Sequence, residues 1–180
     1  MKKIKYLAMS GLMVVLFSAC GPTLSPFTQS LYEEQRWTDS ELQRIQFYLS
    51  RDIILQRELT GGKSDIVSGE IKIVRGKEIE EVIIRKGTPG VFLFSPKANR
   101  FAVGFEENDN NFLIFGPSPK ANNRYVLRAS DWSNNTGTVT YADKKWRTST
   151  DSAWSNLMVD LKKVNKVSRK TKVASGRKVG

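Results

Sequence analysis

The sequence predicts a mainly β protein, built as a single antiparallel meander of about eight strands that forms a barrel or a sandwich. From Ile66 onward, apolar and polar residues alternate with a period of two in segments such as GEIKIVRG, GVFLFS, RFAVGFEE and RYVLRA, which are rich in β-branched and aromatic side chains. Turn residues separate these segments about every 8 to 12 positions, and no helical pattern of about ten residues lies between them. This spacing favours antiparallel strands over a parallel sheet with helical crossovers.

Composition limits the chemistry that the chain can perform. The 180 residues are enough for one domain with a hydrophobic core. Histidine is absent and there is one cysteine, so an internal disulfide, a Cys/His zinc site and a histidine-dependent catalytic triad are all excluded. We therefore predict no catalytic residue, no metal and no cofactor, and we do not expect an enzyme.

The first segment, residues 1–19, has the pattern of a secretion signal. A lysine-rich start, MKKIK, is followed by an apolar stretch of about 13 residues from Leu7, which closes on small residues before Cys20. A membrane-spanning helix needs roughly 20 apolar residues, so this stretch is too short to be one. We predict that residues 1–19 are a signal peptide.

The end of this segment resembles the lipobox of bacterial lipoproteins. Ser18, Ala19 and Cys20 match that motif, whereas Phe17 occupies the position where leucine is usual and Leu16 lies one place earlier. The resemblance implies cleavage before Cys20 and fatty acylation of its thiol, which would hold the protein on a bilayer. The alternative is an unmodified cysteine that follows the signal peptide by chance.

The resemblance also predicts where in the cell envelope the protein is located. In such lipoproteins an aspartate after the cysteine favours the inner membrane, and here Gly21 follows instead. Acidic residues directly behind the cysteine accompany surface export in some groups, but the first acids here are Glu33 and Glu34. The expected location is therefore the periplasmic face of the outer membrane.

Three further segments are predicted after the signal peptide. Residues 20–37 contain two prolines and little periodicity, and are interpreted as a lipidated tether that can extend over about 50 Å, so that the domain stands off the bilayer. The β-rich domain is assigned to residues 38–161. It begins with a helix over residues 39–49, capped by Thr38 with Glu41 in capping-box spacing, and a strand follows in DIILQREL.

The remaining segment, residues 162–180, is predicted to be a disordered basic tail. Of the 29 Lys and Arg residues, three lie in residues 1–19 and eight in the tail, which leaves 18 in residues 20–161, equal to the 18 Asp and Glu residues there. A segment of this composition buries too little apolar surface to fold alone. Its expected partners are an anionic envelope polymer or lipid headgroups, not nucleic acid; the alternative is a terminus that serves only solubility.

A repeated turn provides the candidate binding site. The letters SPKAN occur at 95–99 and 118–122, each time between two apolar strands. A simple meander would place both turns at one end of the sheet and the EENDNN loop at the other. Four cations would then converge as a candidate anion-binding site: Lys97, Arg100, Lys120 and Arg124. The opposite end would carry Glu106, Glu107 and Asp109, and the alternative reading is ordinary turn chemistry.

These features favour a non-enzymatic, lipid-anchored component of the bacterial envelope, with a structural or assembly role and a probable protein partner there. One alternative is a lipocalin-like β-barrel that encloses a small apolar or glycan ligand. Another is a glycan hydrolase that uses two carboxylates about 5 to 10 Å apart in one cleft. The candidate acids do not single out such a pair: Glu78, Glu80, Glu81, Glu106 and Glu107.

Overall fold

Two antiparallel β-sheets share one hydrophobic core. The computed structural model describes residues 23–59, 69–74 and 77–167. The predicted signal peptide, Cys20 and residues 168–180 of the predicted tail lie outside these ranges. Side chains from both sheets meet in a single cluster, so the mainly β, antiparallel prediction is confirmed.

The elements follow one another along the chain as thirteen strands and four α-helices in the described ranges. The strands are β1 Leu24–Pro26, β2 Gln46–Leu49, β3 Ile53–Glu58, β4 Glu70–Val74, β5 Lys77–Ile84, β6 Pro89–Lys97, β7 Arg100–Gly104, β8 Phe112–Ser118, β9 Arg124–Leu127, β10 Ser130–Ser133, β11 Thr136–Tyr141, β12 Lys144–Ser149 and β13 Leu157–Asp160. The helices are α1 Gln29–Gln35, α2 Asp39–Leu42, α3 Thr150–Ala153 and α4 Leu161–Val167. A 3-10 turn covers Pro119–Ala121.

The strand order differs from a single meander. The seven-stranded sheet has the order β1-β13-β2-β6-β7-β8-β9, and the six-stranded sheet has the order β10-β11-β12-β3-β5-β4. Strands β6 to β9 and β10 to β12 are meanders, but β13 lies between β1 and β2, and β12 pairs with β3. Local alternation identifies strands and hairpins, whereas these distant pairings depend on tertiary packing.

The free edge of β9 is covered by segments that flank β1 and β13. The backbone N–H of Tyr125 donates to the carbonyl of Phe27 at 3.0 Å, and that of Leu127 donates to the carbonyl of Ser155 at 3.0 Å. Two isolated bridges, Thr28↔Arg124 and Val126↔Asn156, lie in the same place. The two ends of the seven-stranded sheet are thereby linked, and no long edge is left open there.

Residues 24–37 belong to the folded domain, so the tether interpretation is wrong from Leu24 onward. Strand β1 pairs with β13, and the side chains of Phe27 and Trp37 are buried in the core. Helix α1 is capped by Thr28, whose hydroxyl oxygen accepts the Leu31 N–H at 3.2 Å. Proline is tolerated in β1 because this strand lies at the edge of its sheet. A strand of three residues is too short to show periodicity.

The predicted helix over 39–49 is also too long. The capping box of Thr38 and Glu41 is confirmed, but α2 ends at Leu42 and β2 begins at Gln46. Leu42, Ile45 and Leu49 have helical spacing and are all buried, yet they reach the core from a helix, a turn and a strand. The pairing of β2 with β13 and β6 stabilises the extended form. The strand predicted in DIILQREL is confirmed as β3.

The C-terminal end of the folded domain also lies further along the chain than predicted. Helix α4 covers Leu161–Val167, so the first residues assigned to the tail are helical, and Val164 reaches the core. Strands β10 and β12 were not predicted, because SDWS and KKWRTS are short and polar. The segments that were predicted, from GEIKIVRG to NLMVDLK, contain the other strands after Ile66.

Aromatic side chains from the seven-stranded sheet and the segment after β1 pack together in the core. The Phe27 ring contacts the rings of Phe47 and Tyr125 at centroid distances of 5.2 and 5.0 Å. Phe101 lies 4.7 Å from Tyr125, and the ring of Phe92 meets Phe101 edge-on at 5.2 Å. Such edge and tilted contacts add to the hydrophobic stabilisation of the pairs. Phe27 thus anchors the N-terminal segment at the centre of the core.

Replacing Phe27 with alanine tests whether this segment is part of the fold. We expect Phe27→Ala to lower the free energy of unfolding by about 3 to 5 kcal/mol, since a fully buried ring leaves a cavity. The matched control is Phe94→Ala, because the Phe94 side chain is 42% exposed and its loss should cost less than about 1 kcal/mol. Urea denaturation measures both; equal, small effects would mean that residue 27 lies in a tether.

Candidate anion-binding surface

The two SPKAN segments form different turns. In the first, Lys97 pairs with Arg100 across a two-residue connection, and Asn99 has a φ of 55°. In the second, the 3-10 turn is followed by Asn122 and Asn123, with φ of 52° and 54°. Asparagine tolerates this left-handed backbone, which is why it ends both turns. The additional asparagine makes the second turn wider.

The meander from β6 to β9 places both turns at the same end of the sheet, as expected. The β7–β8 connection, which carries Glu106, Glu107 and Asp109, lies at the opposite end because each strand reverses direction. Glu106 is engaged there, since its carboxylate accepts a hydrogen bond from the Asn111 side-chain amide at 2.5 Å. This carboxylate, together with burial as the larger cause, raises the pKa of Tyr141.

An open pocket of about 250 Å³ lies beside the second turn. Lys120 and Arg124 line it together with Arg51, which precedes β3. Trp154 and Asn156 also line this pocket. Sequence reasoning missed Arg51 and Trp154, because both lie far along the chain from the SPKAN turns and reach the pocket only through the pairing of the sheet.

The other two predicted cations lie outside this pocket. Lys97 is exposed at the first turn. Arg100 extends across the neighbouring strand, where its guanidinium covers Gly116, a position at which a Cβ atom would collide with it. Burial, and secondly the positive charge of Arg128, lower the pKa of Arg100. The structure thus brings Lys120 and Arg124 together with Arg51, and Arg100 next to Arg128.

These groups form one cationic stretch of the outer face of the sheet. Arg124, Val126 and Arg128 alternate along β9 and its extension, so their side chains point to the same side. Gly116 pairs with Val126, which places Arg100 between the pocket and Arg128. We call this stretch the basic surface, and it consists of Arg51, Arg100, Lys120, Arg124 and Arg128.

Acidic side chains compensate little of this charge. Arg51 forms an exposed ion pair with Asp151 at 3.1 Å. Within the ranges that the structure covers, Arg100, Lys120, Arg124 and Arg128 form no ion pair with a carboxylate. Arginine presents a planar set of N–H donors that matches carboxylate or phosphate oxygens, and lysine adds a point charge. The basic surface can therefore bind an anionic group.

Trp154 adds an exposed aromatic side chain to the pocket. Its side chain is 40% exposed, and its backbone N–H is bound to the Thr150 and Asp151 carbonyls at the end of α3. An exposed indole ring is a flat apolar group, and it lies next to the charged residues that line the pocket. The combination suits a ligand that carries an anionic group on a ring, as an acidic sugar does.

One of the candidate acids for hydrolysis, Glu80, is part of the packing of the fold. Glu80 is fully buried and its carboxylate is paired with the guanidinium of Arg57. That guanidinium also lies over the Trp146 ring, 5.3 Å from its centroid. A buried pair of this kind stabilises the fold only while both partners are present. Glu80 therefore has a structural role in the packing of the six-stranded sheet.

No group of three or more His, Cys, Asp or Glu side chains that could hold a metal ion occurs among the residues described. Within the same residues, no helix is long and apolar enough to cross a membrane. Comparison with protein families, with curated proteins and with solved structures finds no match for the chain.

The contact between Arg100 and Gly116 can be tested directly. Gly116→Ala should move the Arg100 guanidinium off β8, because the new methyl group would occupy its place. The free energy of unfolding should change by less than about 1 kcal/mol, since the end of an arginine side chain can rotate away. Side-chain arginine NMR signals measure the movement: we expect the Arg100 Nε signal to shift and that of Arg57 to stay. An unchanged Arg100 signal would contradict the placement.

Proposed function

We propose that the chain is a lipid-anchored, non-enzymatic lipoprotein of the bacterial outer membrane, which contacts an anionic envelope partner through its basic surface. The observation that carries this proposal is the grouping of Lys120, Arg124 and Arg51 around an open pocket with an exposed tryptophan. Its role in the envelope is structural or connecting. The periplasmic face remains the proposed location.

Electrostatics favours an anionic ligand at this pocket. Hydrogen bonds between charged groups contribute more than neutral ones, about 1.5 to 3 kcal/mol each. Two arginines and a lysine can surround one carboxylate or phosphate, while the indole of Trp154 packs against an adjoining ring. A cell-wall polymer that carries carboxylates or phosphates has both features. We therefore propose such a polymer as the partner.

The packing of the interior favours this external site over an enclosed one. The interior is occupied by the side chains of one hydrophobic cluster, including Phe27, Phe101 and Tyr125. A lipocalin-like carrier needs a cavity of about 300 Å³ or more in that position. The lipid anchor itself is proposed from Ser18, Ala19 and Cys20, as the resemblance to the lipobox implies.

Neutralising the pocket should weaken binding to the polymer. In the double variant Lys120→Gln/Arg124→Gln, we expect the affinity for purified peptidoglycan sacculi to fall by about tenfold or more, because two charge-assisted contacts are lost. The affinity should also depend less steeply on salt, since fewer charges are screened. Co-sedimentation over a range of salt concentrations measures both quantities.

The matched control removes one lysine and one arginine from the other sheet. Lys77 pairs with Glu58 at 2.8 Å and Arg147 is exposed on β12, so Lys77→Gln/Arg147→Gln changes the net charge equally without touching the pocket. We expect this control to bind sacculi within about twofold of the parent protein. If both double variants bind equally, the pocket is not the binding site.

A further inference from the structure

The two ends of the described chain meet at one edge of the seven-stranded sheet. Strand β1 begins at Leu24, which pairs with Asp160, the last residue of β13. Helix α4 starts at the next residue, Leu161. The segment that leads back to Cys20 and the helix that leads into the basic tail therefore leave the domain side by side.

Helix α4 carries its charge on the side away from the core. Val164 is buried and Val167 packs against the core, so this stripe fixes the orientation of the helix. Lys162, Lys163 and Lys166 are exposed on the remaining surface. Val164 and Val167 are three residues apart, as one face of a helix requires.

The surroundings of α4 extend the positive surface. Arg44, which follows α2, lies beside Lys163 across a small cleft. Asp160, which lines the same cleft, is largely buried, and its carboxylate accepts the backbone N–H of Lys162 at 3.0 Å. The carboxylate of Glu41 is held by the Thr38 backbone N–H at 2.9 Å. We call Arg44, Lys162, Lys163 and Lys166 the α4 face.

We infer that the α4 face rests on the anionic lipid headgroups of the membrane in which the acyl chains are inserted; the inference relies on the proposed lipid anchor. Cys20 and Leu24, the first residue of β1, are four residues apart, so the chain between their Cα atoms can extend by about 14 Å at most. This length is less than twice the Debye length of about 8 Å at physiological salt, so the lysines stay within reach of the headgroup charge. The domain is held at the bilayer and does not stand off it.

The chemistry of the α4 face also fits a lipid surface. Leu161 is 36% exposed next to Lys162, so the start of the helix presents an apolar group beside a basic one. Each basic residue near an anionic surface adds to the attraction. An acyl anchor and a basic patch are the two signals that together give stable attachment.

The same geometry directs the anion-binding pocket away from the bilayer. Asn156 lines that pocket and directly precedes β13, whereas Asp160 ends β13 next to α4. The four residues of β13 span about 13 Å. One end of this strand thus faces the membrane and the other carries the pocket.

The first test measures vesicle binding without the anchor. The full mature chain, residues 20–180 with Cys20→Ser, is mixed with phosphatidylethanolamine vesicles that contain or lack phosphatidylglycerol. The triple variant Lys162→Gln/Lys163→Gln/Lys166→Gln should bind the anionic vesicles at least about tenfold more weakly than its parent. The control Lys77→Gln/Lys97→Gln/Lys145→Gln removes the same charge elsewhere and should bind within about twofold of the parent. Equal binding of the two variants would overturn the inference.

The second test reports orientation. The Cys20→Ser chain contains no other cysteine, so a single environment-sensitive fluorophore can be placed by Asn165→Cys on α4 or by Ala121→Cys in the pocket lining. Anionic vesicles should shift the emission to shorter wavelength for the label at 165 and leave the label at 121 unchanged. A shift at 121 alone would show that the basic surface contacts lipid instead.

Failure of the anchor is distinguished separately. Mass spectrometry of the N-terminal peptide from the native host shows whether Cys20 is acylated. An unmodified Cys20 with α4-dependent vesicle binding would refute the proposed anchor and leave the lipid contact standing. An acylated Cys20 together with vesicle binding that does not depend on α4 would refute the lipid contact and leave the proposed anchor standing.

Discussion

The antiparallel pairing of β1 with β13 is the constraint on which the rest of the structure depends. It joins the first and last described strands of the chain, and it is continued by the Phe27 N–H, which donates to the carbonyl of Leu157 at 2.8 Å. From there the Phe27 ring enters the centre of the aromatic core, where it contacts Phe47 and Tyr125. Without this pairing, the edge of β9 would lose the segment that covers it.

The same pairing gives the molecule two distinct ends. At one end, Leu24 pairs with Asp160. The first strand residue after the proposed anchor therefore lies next to α4 and its lysines. On the other side, the segments before β13 and after β1 support β9 through the bridges to Arg124 and Val126. The pocket of Lys120, Arg124 and Arg51 is built on that support. The proposed short link to the membrane and the proposed outward binding site both rest on this one arrangement of strands.

Sequence reasoning succeeded where the determining interactions are local. The alternation in RFAVG and NFLIF identified β7 and β8, and the SPKAN turns were placed at one end of the sheet because each hairpin reverses the chain. It failed where the secondary structure depends on segments that are distant in the sequence. Strand β1 is too short to show a pattern, and β2 is extended because β13 and β6 flank it. Arg51 and Trp154 reach the pocket through the same distant contacts. No local signal links either residue to Lys120.

The central claim is that residues 24–28 are an integral part of the folded domain, and amide hydrogen exchange tests it most directly. In the chain of residues 20–180, the Phe27 amide should exchange slowly, at a rate comparable to amides of β2, because its N–H is bonded to Leu157 and its side chain is buried. Exchange at the rate of an unstructured peptide would show that this segment is a free tether. The domain would then not be held at the membrane surface, and the assigned orientation would be wrong.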